Sequence, residues 1–252
     1  MLMEKVATYK EIRALAVQLA HERYPGAVAA VIGGSFATGR QTASSDIDLL
    51  LLFEHVDAAW RSTLVWKGRT VELFAHDLAT FRYFCLDIDA PGGKVPLVMM
   101  VIEGANIVAP STQYEELRTL AQAIHAAGPP ALTAQQLQQR RYAITTALED
   151  LVDSRHAAEA MAVACGLYGM LADLHLRAAG QWSGGGKHLF RRLHAVDAAI
   201  AVQLDSAQRL LVSDLPAGQH AYAQVAAAIL APAGGPLLEG YDLLAPAYWR
   251  CD

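Results

Sequence analysis

The sequence changes character near residue 112. Before that point, short apolar segments alternate with turns that contain Gly and Pro, a pattern typical of β-strands. After it, the chain is rich in Ala, Leu and Gln with the spacing of helices. This contrast predicts an α+β fold in which a small mixed β-sheet domain, residues 1–112, precedes an α-helical bundle domain of four or five helices, residues 113–252.

Within the first domain, the hydrophobic pattern predicts a helix over residues 8–23, followed by buried strands in "AVAAVIGG" and "DIDLLLLF". A hairpin should turn at Lys67-Gly68 and continue as a strand from Thr70 to Phe74. The segment "GGKVPLVMMVIEGANIVA" predicts a fourth strand, and Pro96 near its start indicates an edge position.

Composition limits the partners and the location of the protein. A formal net charge of −5 argues against broad nucleic-acid binding, which needs a basic surface. The cysteines Cys85, Cys165 and Cys251 match no paired metal-ligand spacing and indicate free thiols in a reducing compartment. The first 20 residues carry charges every few positions, unlike a signal peptide, and no run reaches the ~18 apolar residues of a membrane span. We therefore expect a cytoplasmic protein without a membrane partner.

Asp46 and Asp48 interrupt an otherwise apolar strand. Because strand side chains alternate between faces, both carboxylates project from the same side, ~6–7 Å apart along the strand. Their mutual repulsion at a partly buried site is on the order of 2 kcal/mol, and a divalent cation would remove it. Glu72, in "RTVELFA", is a carboxylate in a second apolar strand. These three acids predict a site for Mg²⁺, which prefers carboxylate oxygens.

Gly33, Gly34 and Ser35 directly follow the first predicted strand. Glycine allows the backbone to approach a bulky anion, and exposed amides with a hydroxyl can hold phosphate oxygens. A phosphate-holding turn that precedes paired carboxylates and a third acid indicates two-metal phosphoryl or nucleotidyl transfer.

The stretch "GGSFATGRQTASSDIDLLLL", together with Glu72, resembles the signature of the nucleotidyltransferase superfamily related to DNA polymerase β, over residues 28–76. With its helical second half, the chain is most similar to antibiotic nucleotidyltransferases of the kanamycin and lincosamide kind. The resemblance implies that Asp46, Asp48 and Glu72 hold two Mg²⁺ ions and that Gly34 and Ser35 hold the triphosphate. It also implies that a carboxylate of the helical domain deprotonates the acceptor hydroxyl.

By register with the kanamycin type, Asp153 is the first candidate for this base, followed by Glu149 and Asp150 on the same helix. The lysine that such enzymes carry one turn further on is absent, since Ala157 and Ala158 stand there. In "SGGGKHLFRRL", Lys187 and Arg191 lie one helical turn apart and could bind the phosphates in place of that lysine. An ordinary exposed helix start has the same pattern.

The resemblance thus implies a Mg²⁺-dependent nucleotidyltransferase that moves NMP, first of all AMP from ATP, to a hydroxyl of a small molecule such as an aminoglycoside or lincosamide. The alternative is an antitoxin-like protein of the same fold that binds or nucleotidylates a partner protein, and a third is a silent nucleotide-binding module. Because some relatives build their site across a homodimer, the base could belong to either protomer.

Overall fold

The computed structural model describes residues 6–245, so that Cys251 and the outer ends of both predicted domains lie outside the described residues. The chain forms two compact units that divide between Gly128 and Pro129, here called the sheet unit and the helical unit. The division falls one helix later than the boundary expected near residue 112, because the helix Thr112–Ala127 packs within the sheet unit.

The sheet unit begins with helix α1, Tyr9–Arg23. Thr8 caps its first turn, since the Thr8 side chain accepts from the Glu11 amide while the Glu11 carboxylate accepts from the Thr8 amide. Ile12 and Leu19, on one face of α1, are fully buried in the core beneath the sheet. The helix predicted over residues 8–23 is therefore present, with Thr8 as its cap.

Five strands form one mixed sheet in the order β3-β4-β2-β1-β5. Strands β2 and β4 pair in parallel, and the other neighbours are antiparallel. The β3–β4 hairpin turns at Lys67 and Gly68, both with positive φ, as the sequence predicts. The strands are β1 (Ala27–Ile32), β2 (Ile47–Phe53), β3 (Trp60–Trp66), β4 (Arg69–His76) and β5 (Ala105–Asn106).

The predicted fourth strand over residues 92–109 is wrong. This segment forms a helix, Pro96–Glu103, and only Ala105–Asn106 joins the sheet, as the edge strand β5. Pro96 occupies the first turn of that helix, where its missing N–H has no partner to lose. The further α-helices of the sheet unit are α2 (Gly34–Ala37), α3 (Leu78–Tyr83), α4 (Pro96–Glu103) and α5 (Thr112–Ala127), and a π-helix, Phe84–Asp89, and a short 3-10 helix, Ala90–Gly92, lie between α3 and α4.

The helical unit has five α-helices within the described residues 129–245, in agreement with the predicted bundle. Its core is built from aliphatic side chains of every helix together with the fully buried Tyr222. The helices are α6 (Ala134–Asp153), α7 (Ala157–Ala178), α8 (Lys187–Val196), α9 (Ala198–Ser213) and α10 (Leu215–Leu230).

Helix α7 is the one helix between residues 6 and 245 that is long and apolar enough to cross a membrane. Its Leu167, Leu171 and Leu174 are buried in the core of the helical unit. The core helix of a soluble protein meets the same criteria of length and composition.

Candidate metal and nucleotide site

The pairing of β2 with β4 brings the three predicted acids together. Asp46 directly precedes β2, Asp48 is the second residue of β2, and Glu72 lies in β4. Asp48 and Glu72 are direct partners across the parallel pair. One oxygen of each of the three carboxylates lies within 4.8 Å of the others, and all three side chains are half-buried. The neighbours Ile47 and Leu49 point to the opposite face and are buried.

Gly34 has no side chain and so leaves room for the Asp48 carboxylate. The amide of Gly33 donates to the carbonyl oxygen of Asp48 at 2.9 Å, which ties the end of β1 to the start of β2. Gly34 has a φ of +62°, and a Cβ atom there would lie 1.8 Å from Asp48 Oδ2. Only glycine leaves room for the carboxylate at this backbone conformation. Sequence reasoning assigned Gly34 to the phosphates and missed this second constraint.

Ser35 presents a buried hydroxyl at the beginning of α2. Its Oγ atom has no hydrogen-bond partner among the residues that the structure describes. Buried hydroxyls are normally satisfied, so an unsatisfied one next to a predicted ligand site needs an explanation. The role of Ser35 at a phosphate stays a prediction.

Arg61 is the site residue that sequence reasoning missed. Its Nη2 atom donates to Glu72 Oε2 at 2.7 Å, and its guanidinium carbon lies 5.0 Å from the centre of the Phe74 ring. The signal was present in the hairpin, because a turn at Lys67-Gly68 places Arg61 opposite Phe74 and therefore diagonal to Glu72. An ion pair between them follows from that register.

The donor set fits a hard divalent cation. Three carboxylates offer up to six oxygens in one place, and Mg²⁺ takes oxygen ligands with water completing its coordination. Without a cation, the ionised acids would repel one another, and Arg61 offsets only part of that negative charge. Asp46, Asp48 and Glu72 would hold the ion.

The remaining predicted residues lie in the helical unit. Asp153 is the last residue of α6 and is exposed, as are Glu149 and Asp150. Lys187 is the first residue of α8 and is exposed, whereas Arg191, one turn later, is half-buried. Their roles in chemistry remain predictions.

Part of the sheet unit is similar to a known family of domains. Residues 16–89, which include all three acids, match the family model of the nucleotidyltransferase domain. The match covers less than a third of the chain. The assignment supports a transferase, with an acidic triad able to bind metal and a nucleotide as substrate.

Among solved structures, the chain is similar to a nucleotidyltransferase-like protein from Exiguobacterium sibiricum. The two share 10% sequence identity with a TM-score of 0.38, over 88% of this chain and 77% of the other. No curated protein sequence matches the chain significantly.

Proposed function

We propose that the protein is a Mg²⁺-dependent nucleotidyltransferase that moves AMP from ATP to a hydroxyl of a small molecule, with aminoglycosides and lincosamides as the first candidate acceptors. The observation that carries the proposal is the convergence of Asp46, Asp48 and Glu72 beside Gly34 and the unsatisfied hydroxyl of Ser35. Transfer from a nucleoside triphosphate requires acids that hold metal ions and a turn that holds the phosphates, and these residues provide both.

The residues of the nucleotidyltransferase domain bind and orient the reactants. Asp46 and Asp48 would hold two Mg²⁺ ions between them, and Glu72 would hold the second. When bound, these ions would neutralise charge on the triphosphate and stabilise the attacking and leaving oxygens. Ser35 Oγ would donate to a phosphate oxygen, and Gly34 would allow the backbone to approach it. Catalysis would then consist mainly of positioning and charge neutralisation.

In the reaction, the acceptor oxygen forms a bond to the α-phosphorus while the bond from that phosphorus to pyrophosphate breaks. The acceptor proton goes to a carboxylate, for which we propose Asp153, with Glu149 and Asp150 as alternatives. Lys187 and Arg191 are proposed to meet the phosphates in place of the lysine absent at Ala157 and Ala158. A homodimer that supplies Asp153 from either protomer is compatible with this scheme.

The proposed setting is the cytoplasm, without a membrane or a broad nucleic-acid partner. Cys85 and Cys165 are free thiols, which a reducing compartment preserves. The net charge of −5 gives no general attraction for a polyanion.

Pyrophosphate release tests the proposal. The purified chain is incubated with Mg²⁺, each of the four NTPs in turn, and a panel of aminoglycosides and lincosamides, with Asp48→Asn as the inactive control. We expect release with ATP that depends on one class of acceptor and is abolished in Asp48→Asn. Labelling of a protein in cell extract, without release on any small molecule, would favour the antitoxin-like alternative. No NTP-dependent release on any acceptor, including extract, would overturn the proposed transfer.

A further inference from the structure

Arg61 reaches Glu72 of the acidic cluster from β3. Its guanidinium lies over the Phe74 ring, and its side chain is 62% exposed, whereas that of Glu72 is only 23% exposed. The charged head forms an ion pair with Glu72 Oε2 at 2.7 Å, and more than half of the Arg61 side chain remains accessible to solvent. Ion pairs of this exposed kind are weak, so exchanging the partner costs little.

The carboxylate that Arg61 contacts is also a candidate metal ligand. Glu72 is the acid that completes the cluster with Asp46 and Asp48. A divalent ion bound by Glu72 would stand close to the guanidinium and repel it, since both are cations. A metal-free site and a metal-loaded site therefore favour different positions of the Arg61 head.

A guanidinium released beside such a site would find a suitable new partner in the triphosphate. Its planar fork of N–H donors matches phosphate oxygens and remains charged at every physiological pH. Arg61 belongs to the same compact unit as the acids, and its head is already in contact with one of them.

We propose that Arg61 is an exchangeable cation of the site. It pairs with Glu72 while the site lacks metal and transfers to a phosphate of the nucleotide when a divalent ion takes Glu72. This inference rests on the proposed function, because it requires that the acids bind metal and that a triphosphate binds beside them.

The test measures binding rather than turnover. Free Mn²⁺ is followed by electron paramagnetic resonance during titration of the full chain without nucleotide. Binding of α,β-methylene-ATP is then measured calorimetrically at saturating Mn²⁺. We expect Arg61→Gln to bind Mn²⁺ about 2- to 5-fold more tightly, because a competing cation is gone. The same variant should bind the nucleotide analogue about 10- to 100-fold more weakly, because a charged hydrogen bond is lost. Opposite changes in one variant exclude general damage to the fold.

Arg82→Gln is the matched control. Arg82 lies on α3 in the same unit, is exposed, and forms no ion pair among residues 6–245, so its loss should leave both affinities unchanged. Arg61→Lys keeps the charge without the planar fork and should bind Mn²⁺ as the wild type does while losing part of the nucleotide affinity.

Two results would overturn the exchange while leaving the proposed function intact. If Arg61→Gln weakens Mn²⁺ binding or leaves it unchanged, Arg61 does not compete with the ion for Glu72. If the affinity for the analogue is unchanged, the guanidinium does not reach the phosphates. A wild-type chain that binds neither Mn²⁺ nor the analogue would overturn the metal site and the exchange together.

Discussion

At the residue scale, Gly34 combines a positive φ with a close approach to Asp48, a candidate metal ligand. A second glycine five residues later, Gly39, has nearly the same φ, +66°, but has no atom within 4 Å of the place where a Cβ would stand. The two positions therefore share the backbone strain that any other residue would suffer. They differ in the Asp48 carboxylate, which fills the space next to Gly34 and has no counterpart at Gly39.

This pair allows the effect of the carboxylate to be isolated. Gly34→Ala and Gly39→Ala should both lose about 1 kcal/mol or more of unfolding free energy, because alanine is strained at positive φ. Only Gly34→Ala should also lose Mn²⁺ binding, since its methyl group would displace Asp48 Oδ2. Thermal melting and Mn²⁺ titration measure the two effects. Equal Mn²⁺ affinities in the two variants would show that the position of Asp48 does not depend on Gly34.

Ser35→Ala should separate binding from stability. The Ser35 hydroxyl is buried without a partner among the described residues, so its removal should leave the unfolding free energy unchanged or raise it by up to about 1–3 kcal/mol. The affinity for ATP should fall by roughly 1.5–3 kcal/mol, the contribution of a hydrogen bond to a charged group. Ser62→Ala on β3 is the control and should keep wild-type affinity. Unchanged ATP binding in Ser35→Ala would remove Ser35 from the phosphate site.

At the scale of elements, the last turn of α6 combines acids that oppose the helix dipole. Glu149, Asp150 and Asp153 lie at the end of the helix where the backbone already carries partial negative charge, and the last turn contains no basic residue. A helix end of this kind is less stable than one with neutral or basic side chains. A functional carboxylate is one reason for such a sequence.

Asp153→Asn should therefore raise stability and lower activity together. Relief at the helix end should add about 0.3–1 kcal/mol to the unfolding free energy at low ionic strength. Loss of the proposed base should cut acceptor-dependent turnover by about 10²–10⁴-fold, with ATP affinity nearly unchanged. Asp150→Asn is the matched control, with similar relief and near-normal turnover. If the control loses activity and Asp153→Asn does not, the base is Asp150.

The elements that the sequence predicts well are those with distinct local signals. The capped helix α1, the hairpin at Lys67-Gly68 and the paired acids each combine a periodicity with a turn or a charge anomaly. Helix α4 was predicted as a strand because a short, uniformly apolar run contains no period that separates a buried strand from a buried helix. Its Met100 packs against Gly33, a contact that depends on the tertiary fold.

The candidate site shows the same division between local and tertiary information. The identities of Asp46, Asp48 and Glu72 were readable because charge in an apolar strand is costly wherever the strand lies. The Arg61 ion pair needed the exact hairpin register, and the contact of Gly34 with Asp48 needed the junction of β1 with β2. Such contacts depend on the register and position of neighbouring strands, which are difficult to predict from the sequence alone.

At the scale of the whole molecule, each compact unit has a core of its own. Ile12, Leu49 and Leu73 belong to one core of the sheet unit, whereas Leu167 and Tyr222 belong to the core of the helical unit. A unit that buries its own apolar residues has the main requirement for folding by itself. The stability of each can therefore be measured separately.

Fragments 1–128 and 129–252 should each melt cooperatively by circular dichroism. Mg²⁺ should stabilise only fragment 1–128, by about 2.7 kcal/mol at a concentration 100 times the dissociation constant. Asp48→Asn in fragment 1–128 should abolish that gain. A rise in the melting temperature of fragment 129–252 with Mg²⁺ would point to a metal site outside the triad, and a fragment without a cooperative transition would show that its core is insufficient.

Because Asp48 pairs directly with Glu72, metal binding at the site depends on the register between β2 and β4. If β4 slipped by one residue along β2, Leu73 or Val71 would stand beside Asp48, and Glu72 would turn towards the core. Such a slip would also move Val71, Leu73 and Ala75 away from the core, and the displaced acids would bind no ion. Binding of a divalent metal therefore stabilises the register in which Asp48 pairs with Glu72 over registers shifted by one residue.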